Sequence, residues 1–259
     1  MSPNLFVHVP YGRLEQSLPY LLEKGLQPEV AFLGEDLDGL QHDVAARLGA
    51  ELNRAGLQVT IHGPFHDLNS GALDPAVRQV TARRYRQVLE AGRLLGAKLI
   101  VLHPGYEHWR YGGVPNLWLQ PNFSFWPPLL DEAQRHGQII ALENIFETDP
   151  DTLVALLDRL DHPCLGHCFD IGHWNLFAKT DLAGWFSQLG HRMVHLHLHD
   201  NRGDADSHLP IGQGNIDIES VFKLAGRLDR RPSMTLEAHT RPELEDSLAA
   251  FPDFLRFLN

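Results

Sequence analysis

The sequence predicts an α/β protein, one domain over residues 1–259 folded as a (β/α)8 barrel. Three observations predict it. Apolar runs of strand length alternate with helical patterns from end to end. Eight such pairs can be counted, one per about 32 residues. No linker or low-complexity stretch interrupts them. An open, doubly wound sheet is the competing architecture. It would usually carry a glycine-rich phosphate loop after the first strand, where this chain has "VPYGRLE".

The first strand is "NLFVHVP" (4–10) and the second "EVAFLG" (29–34). "QVTIHGPF" (58–65), "KLIVLHPG" (98–105) and "IIALENI" (139–145) follow. The last three are "LGHCFDIGH" (165–173), "MVHLHLHDN" (193–201) and "SMTLEAH" (233–239). Several open on unbroken apolar residues, which suits strands buried on both faces. Helices are predicted over 40–56 and 77–96; in the second, Val77, Val80, Tyr85, Val88, Leu89, Ala91 and Leu95 mark an apolar stripe. Gly56, Gly96 and Gly137 stand where helices should stop. The final segment reads as a helix interrupted near Pro252.

A length of 259 residues with 43% hydrophobic content can bury a large core without staples. The two cysteines, Cys164 and Cys168, the lack of a secretory leader pattern and the lack of an 18-residue apolar run predict a cytoplasmic protein in a reducing compartment, off the membrane. The net charge of -11 argues against nucleic acid as partner, because displacing counterions needs a basic footprint. The sixteen histidines are the unusual feature.

In such a barrel the C-terminal strand ends line the site. Here those positions hold His62, His103, Glu143, Asn144, Asp170, His173, His197, His199, Glu237 and His239, with Asp206 and His208 in the loop after the seventh strand. In "VHLHLHD" the period of two puts His195, His197 and His199 on one face, with His195 deepest. Each residue alone has a structural reading: a hydrogen-bonded imidazole, a turn cap at "DIGH", a solvated loop at Asp206. Gathered on one rim they need a cation to offset desolvation and repulsion. Imidazole and carboxylate donors suit zinc first and manganese second. Lysine and cysteine are missing from the rim, so Schiff-base and thiol chemistry have no candidate.

The motifs "HGPF", "LHPG", "LEN", "FDIGH", "HLHD" and "DSHLPIGQGNID" occur in the order seen in the xylose isomerase-like TIM barrel superfamily, also called apurinic/apyrimidinic endonuclease family 2. The whole chain resembles that superfamily, which includes endonuclease IV and sugar isomerases and epimerases. The isomerase branch implies one metal held by Glu143, Asp170, His197 and Glu237, the two glutamates serving as acid and base. The endonuclease IV branch implies up to three metals on nine ligands: His62, His103, Glu143, Asp170, His173, His197, Asp206, His208 and Glu237. Its sets would be His62, His103 and Glu143; Glu143, Asp170, His197 and Glu237; and His173, Asp206 and His208.

Agreement at all nine positions favours the multinuclear reading. That reading is a hydrolase of a small-molecule phosphodiester, with Glu143 bridging two metals. The alternative is a single-metal sugar or sugar-phosphate isomerase or epimerase. No basic run accompanies the ligands; "RRYR" (83–86) lies in a helix. His199, Trp174, Arg202 and Trp109 are the expected substrate contacts. The stretch 106–126 holds three of the five tryptophans. It is expected to be a lid or stacking wall at the mouth, or else a packed aromatic cluster or a homodimer contact.

Overall fold

The computed structural model describes residues 4–258. Eight parallel strands close into a barrel in chain order, β1 pairing with both β2 and β8. The first half comprises β1 (Leu5–Pro10), α1 (Tyr11–Lys24), β2 (Gln27–Ala31), α2 (Gly34–Asp38), α3 (His42–Arg54), β3 (Thr60–His62), α4 (Pro75–Leu95) and β4 (Leu99–Leu102). The helices α5 (Pro115–Phe125) and α6 (Pro127–His136) lead to β5 (Ile139–Glu143), α7 (Asp151–Leu160) and β6 (Leu165–Asp170). Then come α8 (Ile171–Phe177), α9 (Leu182–Leu189), β7 (Met193–Leu198), α10 (Ile218–Gly226), β8 (Ser233–Leu236) and α11 (Arg241–Leu255). No helix among the described residues is long and apolar enough to cross a membrane.

Strand alternation divides the molecule into an apolar shell and a polar bore. Outward residues such as Val7, Val30, Ile61, Ile100, Leu142, Phe169, Leu196 and Leu236 join the helices in one large core. Inward residues form a small separate cluster of Leu99, Val101, Ala141 and Cys168. Beside it lie buried polar groups, Glu29, Thr60, His195 and Thr235. The register continues this inward face upward: His62 pairs with Val101, Glu143 with Cys168, and Asp170 with His197. One face of the pleat therefore carries nearly every polar strand end to the same mouth.

Local signals account for the helices that frame the site. Asp74 caps α4, its carboxylate accepting from the Ala76 N–H (2.8 Å), with Pro75 at the first helical position. The helix ends at Gly96, φ 76°. The expected strand over 165–173 stops at Asp170, which caps α8 by accepting from the His173 N–H (2.6 Å). His173 therefore stands on a helix, not a strand. The expected break near Pro252 does not occur. Proline at position 252 forfeits one backbone bond, but it lies in the last turn of α11 and buried Phe251 anchors that turn against Phe222 (5.9 Å between rings).

The aromatic stretch 106–126 folds down as a turn and α5. Tyr106, Tyr111, Trp118 and Trp126 are buried in the main core. The Trp118 indole donates to the Pro104 carbonyl (3.3 Å) and the Trp126 indole to Asn122 Oδ1 (2.9 Å). Trp118 and Trp126 are thus a packed cluster, whereas Tyr106 and Tyr111 also line a cavity beside His103; Trp109 alone of the three tryptophans stands in solvent, 74% exposed.

Candidate metal centre

Glu143, at the end of β5 and 1% exposed, is the hub. Its Oε2 lies 3.4 Å from His62 Nε2, 3.4 Å from His103 Nε2 and 3.2 Å from His197 Nδ1. Its Oε1 lies 3.2 Å from His173 Nδ1. The nitrogens of His62 and His103 are themselves 3.1 Å apart. Tetrahedral donors on bonds of roughly 2.0–2.1 Å stand about 3.3 Å from one another. The triangle of His62, His103 and Glu143 therefore has the edges of three ligands on one ion.

Other groupings surround it. His197 Nδ1 is 3.3 Å from Glu237 Oε1 and 3.8 Å from Asp170 Oδ2. Asp206 spans two imidazoles, 3.5 Å from His173 Nε2 and 3.4 Å from His208 Nε2. His199 Nε2 lies 3.1 Å from Asp170 Oδ2 and 3.9 Å from Glu237 Oε2. The nine side chains with metal-ligand chemistry thus converge on one rim, with His199 among them. Sets compact enough for an ion include His62, Glu143 and His197; Asp170, His197 and Glu237; Asp170, His173 and His199; and His199, His208 and Glu237.

The donors present fit cations. Both oxygens of Glu143 and Nδ1 of His197 are buried without an aligned hydrogen bond. Buried polar atoms are nearly always satisfied, and the groups that approach these three are the other donors of the rim, an arrangement a cation among them would satisfy. Charge tells the same story. Burial pushes Glu143 up, but His103, His197 and His173 outweigh it and hold the carboxyl well below the usual range. Burial likewise opposes ionised Asp170, yet His173 and His199 bring it to about 2. Conversely, burial disfavours the His208 imidazolium, while Asp206 and Glu237 raise it to about 9. Protons on imidazoles supply the positive charge that divalent ions would supply on binding.

The supporting shell is specific. Asn144 clamps the end of β6, donating to the Asp170 carbonyl and accepting from its N–H, both at 3.0 Å. The Asn144 carbonyl faces His173 Nδ1 at 3.0 Å, which turns His173 Nε2 toward Asp206. Asp200 ties down the 200–216 loop by accepting from the N–H groups of Asn201 (2.9 Å), Gly212 (3.0 Å) and Ile216 (3.2 Å). His208 takes a left-handed φ of 44° there, and its ring stacks between His199 (3.8 Å) and His239 (4.2 Å). Gly172 leaves room for His199: a Cβ would meet its ring at 1.9 Å.

The remaining sequence candidates lie apart from these donors. The Trp174 indole donates to the Thr180 carbonyl (3.0 Å), and its ring lines a separate groove with Leu182 and Leu224. Arg202 is exposed, its carbonyl accepting from Asn215 Nδ2 (3.0 Å). A cavity of about 650 Å³ opens onto His103 and Glu143, lined by Phe65, Asn69, Arg110 and Tyr111 and not by Trp109. Besides Asp200, two buried acids escaped the sequence reading. Glu147 lines that cavity, and burial pushes it up to about 7. Glu29, in β2 and 0% exposed, lies beneath His197. The only signal was a carboxylate at the first position of the expected second strand, which the structure extends back to Gln27.

Known proteins share this architecture. Residues 27–258 match the family model described as "Xylose isomerase-like TIM barrel". A D-tagatose 3-epimerase-like protein superimposes with a TM-score of 0.85 at 25% identity, covering 99% of this chain and 98% of that one. A Thermus thermophilus protein from crystals soaked with ZnCl2 gives a TM-score of 0.81 at 30% identity, covering 97% of each chain. Among curated relatives, a probable endonuclease 4 of Mycobacterium leprae is 26% identical over 190 residues, 68% of this chain and 72% of its own length.

Proposed function

The chain belongs to the xylose isomerase-like TIM barrel family, whose members include sugar epimerases and endonuclease 4-like proteins. We propose that within it this protein is a multinuclear metal-dependent hydrolase that cleaves a phosphodiester in a small molecule. The observation that carries the reading is a connected set of nine donors: His62, His103, His173 and His197 lie within 3.4 Å of Glu143, Asp170 and Glu237 approach the same His197 nitrogen, and Asp206 links His173 to His208. An isomerase needs four of them. In a one-metal centre the tight His62–His103–Glu143 triangle and the His173–Asp206–His208 bridge would serve only to bind substrate hydroxyls.

Zinc, up to three ions, fits the imidazole-rich set, with manganese as the second choice. Such ions would activate a water and offset charge on the phosphate. The chain's own residues do the rest. Glu143, ionised and central, spans the sets and holds their separation. Asn144 aims His173, and Asp206 returns over the mouth on a loop held by Asp200. The 650 Å³ cavity between His103, Arg110 and Tyr111 takes one substituent of the ester, and a cavity of about 460 Å³ lined by His8, Arg13, Phe32 and His62 takes the other. Cavities of this size suit a small molecule. The -11 net charge speaks against a nucleic-acid duplex.

One observation favours a second reading. Asp170, His197 and Glu237 are close enough to hold one ion, Glu143 Oε2 lies 3.2 Å from the same His197 nitrogen, and the epimerase-like structure is similar over nearly the whole chain. In that case Glu143 and Glu237 would move protons on a keto sugar. Elemental analysis of protein purified without added metal, with assays on a chromogenic phosphodiester and a keto-sugar panel, separates the two. Two to three ions per chain with ester cleavage support the hydrolase. One ion with epimerisation overturns it.

A further inference from the structure

Beneath the metal rim lies a carboxylate that neither branch of the family reading assigns. Glu29 sits on the inward face of β2, level with Thr60 of β3, and is 0% exposed. Its Oε1 lies 2.9 Å from Nε2 of His197, in a bent approach. Its Oε2 accepts from the Thr60 hydroxyl (3.0 Å) and lies 3.1 Å from Nε2 of His195. His195 is fixed in turn by Ser233 at Nδ1 (2.6 Å) and Thr235 at Nε2 (2.8 Å). The other nitrogen of His197, Nδ1, is the one that faces Glu143, Asp170 and Glu237.

We propose that Glu29 is the positioning residue of the metal centre: from inside the barrel its carboxylate holds the proton of His197 on Nε2, as acceptor to that N–H, and so presents Nδ1 as the ligand atom. A neutral imidazole carries one N–H, and the hydrogen bond made by that nitrogen decides which atom is left to bind. The contact does three things. It selects the tautomer. It holds the ring plane, because Thr60 and His195 fix the carboxylate from the far side. It places a negative charge behind the ligand, which strengthens its bond to a cation. A carboxylate serving only as core filler would be a poor choice here, since an apolar side chain of similar size would need no partners. The inference rests on the metal-centre reading but not on which reaction the centre performs.

The test uses the full-length chain, with zinc as the probe. Glu29→Gln and Glu29→Ala are compared with the parent by chelator competition for zinc, by the electronic spectrum of the cobalt-substituted protein, and by thermal melts of metal-free protein. Losing such a partner lowers affinity by about 10–100-fold. The expected result is that loss for one class of ion in both variants, with a shifted cobalt spectrum and a metal-free melt near the parent's. Unchanged affinity and spectrum in a folded variant overturn the proposal. A readout without mutation guards against misfolding: long-range 1H–15N correlation of the zinc-loaded parent should show His197 protonated at Nε2 and ligated at Nδ1. Ligation through Nε2, or at both nitrogens as a deeper ion between Glu29 and His197 would require, overturns it. A parent that binds no zinc defeats the metal centre itself, an outcome separable from normal zinc binding in the Glu29 variants.

Discussion

Replacing both Asp206 and His208 by alanine tests the metal count directly. Asp206 is the bridge between His173 and His208, at 3.5 and 3.4 Å, so the double change leaves a third ion with His173 alone from that set. The fold should survive. Asp206 is 44% exposed, and truncating an ion-pair partner at such a site costs about 0–1 kcal/mol. His208 gives up two ring stacks, at 3.8 and 4.2 Å, worth roughly 0.5–1.5 kcal/mol each if they behave as aromatic pairs. The left-handed backbone at 208 suits alanine less well than histidine, which moves the cost toward the upper end of the range. Together these sum to about 1–4 kcal/mol, a melting point lower by a few degrees to about 15 °C at roughly 2–4 °C per kcal/mol for a chain of this size. Turnover should suffer far more. Loss of one electrostatic clamp on a developing charge typically costs about 10²–10³ in rate. Elemental analysis of dialysed parent and variant should show about one ion fewer per chain, and phosphodiester turnover should fall by at least two orders of magnitude. Unchanged metal content, with epimerisation of a sugar by the parent, would refute the multinuclear reading.

Three further predictions follow from the same geometry. Glu143→Gln should keep the fold and abolish turnover, because Glu143 is bridge in one mechanism and base in the other; activity within tenfold of the parent would remove it from the catalytic set. Gly172→Ala should lower the melting point by roughly 2–12 °C, since overpacking costs about 1–3 kcal/mol and the added methyl would lie 1.9 Å from the His199 ring; an unchanged melt would show that His199 has room to move. For pH, His208 has its folded value raised from 6.5 to about 9, so its contribution is complete below pH 6.5 and lost as pH rises toward 9. The loss is at most about 3 kcal/mol, less for screening at half-exposed Asp206. The metal-free protein should therefore melt lower at pH 9 than at pH 6.5, while zinc affinity rises across that window as the competing proton leaves; a flat or rising metal-free melt would contradict this assignment.

The barrel was legible because the outer face of each strand is apolar and each helix carries a stripe, so period and count sufficed. The rim residues were legible for a related reason. A parallel strand buried on both faces has no use for a polar residue, so His62, His103, Glu143, Asp170, His197 and Glu237 stand out where apolar runs end. The same logic was available for Glu29, but "EVAFLG" begins on that residue, and a carboxylate at the edge of a run reads as a strand terminus. In fact β2 starts two residues earlier, at Gln27 with Pro28 inside it, which places Glu29 in the bore. Where the aromatic stretch would go was not legible, because lids and packed clusters share a composition. What decides is where the indole N–H groups find acceptors, and Pro104 and Asn122 supply them from within the fold.

The third donor set shows the limit most sharply. Asp206 and His208 lie in a loop without periodicity, and spacing alone puts them near the mouth without aiming them. Their aim comes from Asp200, which the sequence shows only as one more acid after the histidines. Its carboxylate gathers three backbone N–H groups from positions 201, 212 and 216. Gly214 is required because a Cβ there would lie 2.1 Å from Asp200 Oδ1. The short "HLHDN" and the distant "GQGNID" are thus two halves of one loop closure, and only the closed loop turns His208 onto His199. A donor set built this way depends on a fully buried carboxylate, so variation at Asp200 should affect the third set before the other two.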